Sequence, residues 1–193
     1  MDRFLRLRID LDRAITFGRH EVALKIAQQG LDLAQEKNLS GEVEYFRAQF
    51  FILEEDFPAA MIHLDEAIKF NSHDGAAFND KALCLTELGS LDEALKNFDQ
   101  GILAEPDYAT IYHNKGWLLN KLGRYHEAIR CFEKTLALEP KRAVTYENLG
   151  DSYSNLGDKD KARQAYQSAL EYLPDDCEEI KGQLEKLIKE VSL

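Results

Sequence analysis

The chain of 193 residues has few of the residues that staple or interrupt a fold: three cysteines, four prolines and one tryptophan. Cys84, Cys131 and Cys177 show no metal-ligand spacing, so no zinc cluster is expected. An odd cysteine count with no secretory leader favours a reducing cytoplasm. The opening Met1-Asp2-Arg3-Phe4 runs straight into helix-like sequence, which is not how a signal peptide reads. No stretch approaches the roughly 20 apolar residues of a membrane span, so no membrane partner is expected. Positive charge is scarce: 24 Lys and Arg against 35 Asp and Glu leave −11, which argues against nucleic acid as a partner. A glycine-rich phosphate loop is missing. The five histidines, His20, His63, His73, His113 and His126, form no His-x-x-x-His pair. No catalytic residue, metal site or cofactor is therefore expected, and the chain does not read as an enzyme.

What the sequence does have is a period. Pro106, Pro140 and Pro174 stand 34 residues apart. Ala94, Ala128 and Ala162 precede them at one fixed distance, Phe98, Phe132 and Tyr166 at another, and Gly89, Gly123 and Gly157 at a third. A period of this length means stacked supersecondary units rather than one closed core.

The segments resemble tetratricopeptide repeats, the helix–turn–helix unit of this period. The best copies run 75–108, 109–142 and 143–176, with aromatics at Phe78, Tyr112 and Tyr146 and small residues at Ala82, Gly116 and Gly150. The pattern extends back with losses to 41–74 and 4–37, and a terminal segment, 177–191, has the composition of a capping helix. The resemblance implies an all-α, right-handed α-solenoid, one array over 1–193. The helices are predicted at 3–18, 20–36, 41–54, 57–70, 75–88, 91–104, 109–122, 125–138, 143–156 and 159–172.

The residues fit that unit physically. Small residues at the eighth and twentieth places of each repeat face each other and let the helix axes approach to about 8–10 Å. Apolar residues such as Leu95, Phe98 and Ile102 recur at three- and four-residue steps, one face of a helix. The repeated glycine suits a left-handed residue at the end of the first helix. Ser90 followed by Glu93 predicts a capping box. Pro58 falls in a first turn, where a missing N–H is harmless. Ile180, Leu184, Leu187, Ile188 and Val191 form one face of the last helix, and Asp176 reads as its N-cap.

In the family the first helix of each repeat lines a concave groove. Carried over by place, the expected groove residues are Tyr45, Gln49, Asn79, Leu83, His113, Asn114, Trp117 and Asn148. Amides can donate to and accept from a peptide backbone, and tryptophan is enriched at binding hot spots. The resemblance thus implies a non-catalytic scaffold that holds a peptide or helix of another protein. The alternatives are a self-assembling structural protein, stacked through its terminal helices, and a regulatory subunit of a catalytic partner. Net charge is −6 over 38–74 and −5 over 75–108. Such an acidic stretch favours a basic partner segment. Family members that grip a carboxylate tail need cations at set groove places. One register here offers Asn79, Leu83, Asn114, Val144 and Asn148, and two others fail similarly, so a chaperone-tail adaptor is not expected.

Overall fold

The computed structural model describes residues 3–174 and 177–192. They form eleven α-helices and no strand. The chain divides into two compact units, Met1–Pro106 and Asp107–Leu193. The first holds α1 (Arg3–Thr16), α2 (His20–Glu36), α3 (Ser40–Leu53), α4 (Phe57–Phe70), α5 (Gly75–Glu87) and α6 (Leu91–Ala104). The second holds α7 (Ala109–Lys121), α8 (Tyr125–Leu138), α9 (Ala143–Asn155), α10 (Lys159–Tyr172) and α11 (Glu178–Ser192). These bounds lie within two residues of the predicted spans. The break falls between helix pairs, so three of the five pairs lie in the first unit and two, with α11, in the second.

Each odd-numbered helix from α1 to α9 packs on the even-numbered helix after it, and each pair packs on the next pair of its own unit. Gly18, Gly89, Gly123 and Gly157 turn four of the five hairpins with φ of 63°, 77°, 72° and 78°. A Cβ at these glycines would meet no atom within 4 Å, so backbone conformation rather than space selects glycine. Glu55 takes the same place in the second repeat with φ 59°, a conformation unfavourable for a side-chain-bearing residue.

Helix starts use carboxylates more than hydroxyls. Asp56, Asp74 and Asp158 accept from the N–H of Ala59, Ala77 and Lys161 at 3.1, 3.0 and 3.2 Å. The capping box expected of Ser90 and Glu93 does not form. The Ser90 hydroxyl makes no capping bond. The Ser90 N–H that Glu93 would accept from is already donated to the Leu85 carbonyl at 2.8 Å. Pro58 sits in the first turn of α4 as expected. Asp176, read as the N-cap of the last helix, lies outside the described residues.

The recurring alanines, Ala23, Ala60, Ala94, Ala128 and Ala162, are wholly buried. The smallness of Gly116 has a more specific cause than a facing alanine. A Cβ there would come within 2.7 Å of the Phe132 ring. Aromatic and glycine are therefore one fitted pair within the α7–α8 hairpin. At the end of the second unit, Leu184 and Val191 of α11 are buried against Ala162, Tyr166 and Ala169 of α10. Ile180, Leu187 and Ile188 pack around them, half-buried.

Candidate functional site

In the first unit the first-helix face is built by α1, α3 and α5, and it is tied together by charge. Arg8 of α1 forks Asp74 with its two terminal nitrogens at 2.6 and 2.8 Å. It also donates to Glu42 of α3 at 3.1 Å. Its guanidinium lies 3.7 Å from the centre of the Tyr45 ring. Burial opposes the Arg8 charge, but the Asp74 bond and the nearby acids outweigh it and hold the guanidinium firmly protonated. Asp74 also caps α5, so one carboxylate serves a helix start and an ion pair.

One turn further along, Asp80 gathers the amides of this face. Gln49 donates to one of its oxygens at 2.7 Å and Asn79 to the other at 3.0 Å. Tyr45 bonds it as well. Burial pushes the Asp80 carboxyl up to about 6; the three bonds act against that rise and the charge of Asp12 adds to it. Asp80 is easier to ionise in the unfolded chain, where its pKa is about 3.8. Its stabilising contribution is fully present below that value and is lost as pH rises through about 6. Glu105, Glu147 and Asp151 are also raised, chiefly by burial, and act in the same direction. In urea melts at pH 5 and 7.5, Asp80→Asn is expected to narrow the difference between the two midpoints. An unchanged difference would remove Asp80 from this role.

In the second unit α7 and α9 lie side by side, and side-chain bonds join them as rungs. Arg142 donates to the Thr110 hydroxyl at 3.0 Å. Thr145 and His113 Nδ1 share a hydrogen bond of 2.9 Å. Ser152 donates to Asn120 at 3.1 Å. Burial, with the Arg142 charge nearby, pushes His113 down to about 3, so it is neutral at physiological pH. Trp117 is half-buried, and the Lys121 ammonium lies 3.9 Å from its ring centre. Tyr166 donates to Asp151 at 2.7 Å. Asn148 donates to the Val144 carbonyl at 3.0 Å, a bond that does not use its amide oxygen.

The eight residues expected to line the groove therefore separate into two sets. Tyr45, Gln49, Asn79 and His113 are buried and bonded inside their own units. Leu83, Asn114, Trp117 and Asn148 are half-buried, with surface a ligand can reach. The reading of the sequence missed the Arg8–Asp74–Glu42 cluster. The signal for it was an arginine at the repeat place filled by Tyr45, Asn79, His113 and Glu147 in the later repeats, three of them buried. A charge at a place that buries demands a counter-charge.

Among the described residues no cluster of three or more His, Cys, Asp or Glu is arranged to hold a metal ion. Cys84 is buried and its thiol is pushed up to about 12, which makes it a packed rather than a reactive cysteine. No helix of the described residues is long and apolar enough to cross a membrane.

Helix pairs of similar length, four of the five turned by glycine and joined through alanine and aromatic contacts, define a helical-repeat protein. The tetratricopeptide repeat family model matches residues 74–141 and 107–175, just over half of the chain. The chain belongs to the tetratricopeptide repeat family. Among solved structures it is similar to TTC0263, a thermophilic tetratricopeptide protein of Thermus thermophilus. The TM-score is 0.74 and the identity 20%, over 96% of this chain and 97% of that one. It is also similar to YrrB, described as having an unusual peptide-binding site. There the TM-score is 0.62 and the identity 18%, over 95% of this chain and 89% of that one. In sequence it is 37% identical over 67 residues to Hsp70-Hsp90 organizing protein 3 of Arabidopsis thaliana. That match takes in 35% of this chain and spans 12% of the length of the relative.

Proposed function

We propose that the chain is a non-catalytic protein-interaction module that holds a peptide or helix of a partner on the α7–α9 face. The observation that carries this is the row of half-buried Asn114, Trp117 and Asn148 on two first helices that their own side-chain bonds hold in register. Amides held at fixed spacing suit an extended backbone, and the indole supplies the large contact area of a hot spot. The half-buried acids Glu147 and Asp151 lie on α9 of the same unit and favour a basic side chain in the ligand. The peptide-binding site in the description of YrrB supports a ligand of this class.

The chaperone organization named in the plant relative is not carried over. The places that would grip a carboxylate tail hold Asn79, Leu83, Asn114, Val144 and Asn148, with no lysine or arginine among them. Affinity capture from the native cell, followed by titration of the purified partner, tests the groove reading. Trp117→Ala is expected to weaken binding by more than about 1 kcal/mol, roughly fivefold in Kd. Unchanged binding after Trp117→Ala and Asn114→Ala together, with helicity retained, would place the partner elsewhere on the molecule.

A further inference from the structure

We propose that a hollow between the end of α2, the start of α3 and the end of α4 is a second binding site, shaped for a tyrosine side chain on a segment of a partner protein. It goes beyond the groove reading and lies wholly in the first unit, with a volume of about 490 Å³. It is also a different surface. Its residues on α3 are Val43, Glu44 and Arg47, which lie about 100° or more around the helix from Tyr45.

A ring is missing there. Glu44 stands in the second repeat where Phe78, Tyr112 and Tyr146 stand in the third, fourth and fifth. In the fifth repeat the Tyr146 ring packs on Tyr172 of α10, with centres 5.6 Å apart. Its hydroxyl donates to the Pro140 carbonyl at 3.1 Å. The places of Tyr146, Tyr172 and Pro140 correspond to Glu44, Phe70 and Gln35, and all three of these line the hollow. Phe70 is 61% exposed and meets no other ring among the described residues, whereas Tyr172 is half-buried. The base of Phe70 is nonetheless held closely. A Cβ on Gly41 of α3 would lie 3.1 Å from the Phe70 Cβ.

Two departures from the repeat open the space. Glu44 turns away from Phe70, because Arg47 donates to one of its oxygens at 2.6 Å and His63 Nδ1 meets the other at 2.6 Å. His63 precedes Phe70 in α4 by about 10 Å along the helix axis. The α2 helix also runs for 17 residues, against 14 in α4, α6, α8 and α10. Asn38 follows it with φ 55°, and Asn38 and Ser40 of this longer connection form another wall of the hollow.

The lining selects the occupant. Both Glu44 oxygens are engaged, so the hollow does not call for a cation. Phe70 offers a ring, and a pair of rings attracts beyond the area it buries. The amides of Gln35 and Asn38 can each accept from a phenol hydroxyl. Both residues are exposed, as are Ser40, Arg47 and Phe70, so the hollow is open to solvent. A site for a free small molecule encloses most of its ligand. A side chain carried on a peptide needs only its ring covered, and the rest of the segment can leave across the open side. A second copy has no tyrosine to offer, since all eight are buried or half-buried.

The test titrates capped pentapeptides into the nitrogen-15-labelled full chain and follows the amide signals. The central residue is tyrosine, phenylalanine, lysine or alanine, with glycines on both sides. The tyrosine peptide is expected to shift the amides of Gln35, Asn38, Ser40 and Val43 saturably. The phenylalanine peptide should bind at least about threefold more weakly, and the lysine and alanine peptides at least about tenfold. Phe70→Ala, at an exposed residue, should weaken the tyrosine peptide about fivefold or more. Glu44→Tyr supplies the ring from within, so it should abolish the binding and raise the urea midpoint. Trp117→Ala should leave this binding as it is, which separates its outcome from that of the groove. Shifts confined to other parts of the chain overturn the proposal, as does equal binding of the phenylalanine or lysine peptide. Wild-type binding by both Phe70→Ala and Glu44→Tyr overturns it too. Para-cresol bound as tightly as the tyrosine peptide would make the occupant a free phenol, and self-association lost in Phe70→Ala would make it a second copy; either result overturns the proposal.

Discussion

A chain ended at Pro174 is expected to melt at a lower urea concentration than the full chain and to associate as its concentration rises. The α11 helix buries Leu184 and Val191 against α10, and Ile180, Leu187 and Ile188 close over the same cluster. Fully burying one such side chain contributes about 1.5–3 kcal/mol, so the two buried residues alone account for roughly 3–6 kcal/mol as an upper range. Removing α11 would expose more of the apolar cluster at the end of α10, where half-buried Leu170 and Leu173 also pack, and a patch of that kind drives association. The opposite side of α11 carries Glu178, Glu179, Lys181, Glu185 and Lys186, all exposed. Repeat proteins place a polar outer face at an end for solubility, and this helix has that form. Light scattering and urea melts of the two chains decide the matter. A truncated chain that stays monomeric and melts at the full-length midpoint would show that α11 contributes little to closing the unit.

The hairpins were legible in the sequence because each depends on local choices that recur from repeat to repeat. Glycine at the left-handed turn in four repeats, alanine at the buried contact in all five and an aromatic opposite a small residue in three each leave a mark at one place per period. The Ser90–Glu93 box was misread because a side-chain motif takes no account of the backbone around it. The loop had already given the Ser90 N–H to Leu85. The first-helix face was legible only as a set of places. Assigning Tyr45, Gln49, Asn79 and His113 to an open surface overlooked that the same places face neighbouring first helices. What decides between surface and interior is the partner 31 to 66 residues away. Gln49 meets Asp80, His113 meets Thr145, and Arg8 meets Asp74. No local propensity encodes those meetings, although an arginine at a burying place does signal that some acid must lie near.

That arginine carries the other large expected effect. Arg8→Met keeps most of the side-chain volume and removes the charge. Asp74, 4% exposed at its side chain, would then face Glu42 and Glu105 without its counter-ion. Breaking a buried pair by deleting one partner typically costs about 3–5 kcal/mol, because the remaining charge stays desolvated. Tyr45 would lose a stacked cation, a smaller loss of about 0.5–2 kcal/mol that overlaps with the first. Arg8→Lys should recover only part of the stability, since an ammonium cannot fork both Asp74 oxygens while resting flat on the ring. Asp74→Asn in the Arg8→Met background should restore more, since asparagine still caps α5 and carries no charge. A double-mutant cycle then isolates the pair from the cap. Urea melts within about 1 kcal/mol of wild type for Arg8→Met would mean that water already satisfies Asp74. The same substitution bears on recognition. While Arg8 holds Asp74 and Glu42, it offsets one of their two charges from within, and a basic ligand gains less by approaching them. Arg8→Met should therefore make a guanidinium additive stabilise the first unit more than it stabilises wild type, at equal ionic strength, by refilling the place over Tyr45.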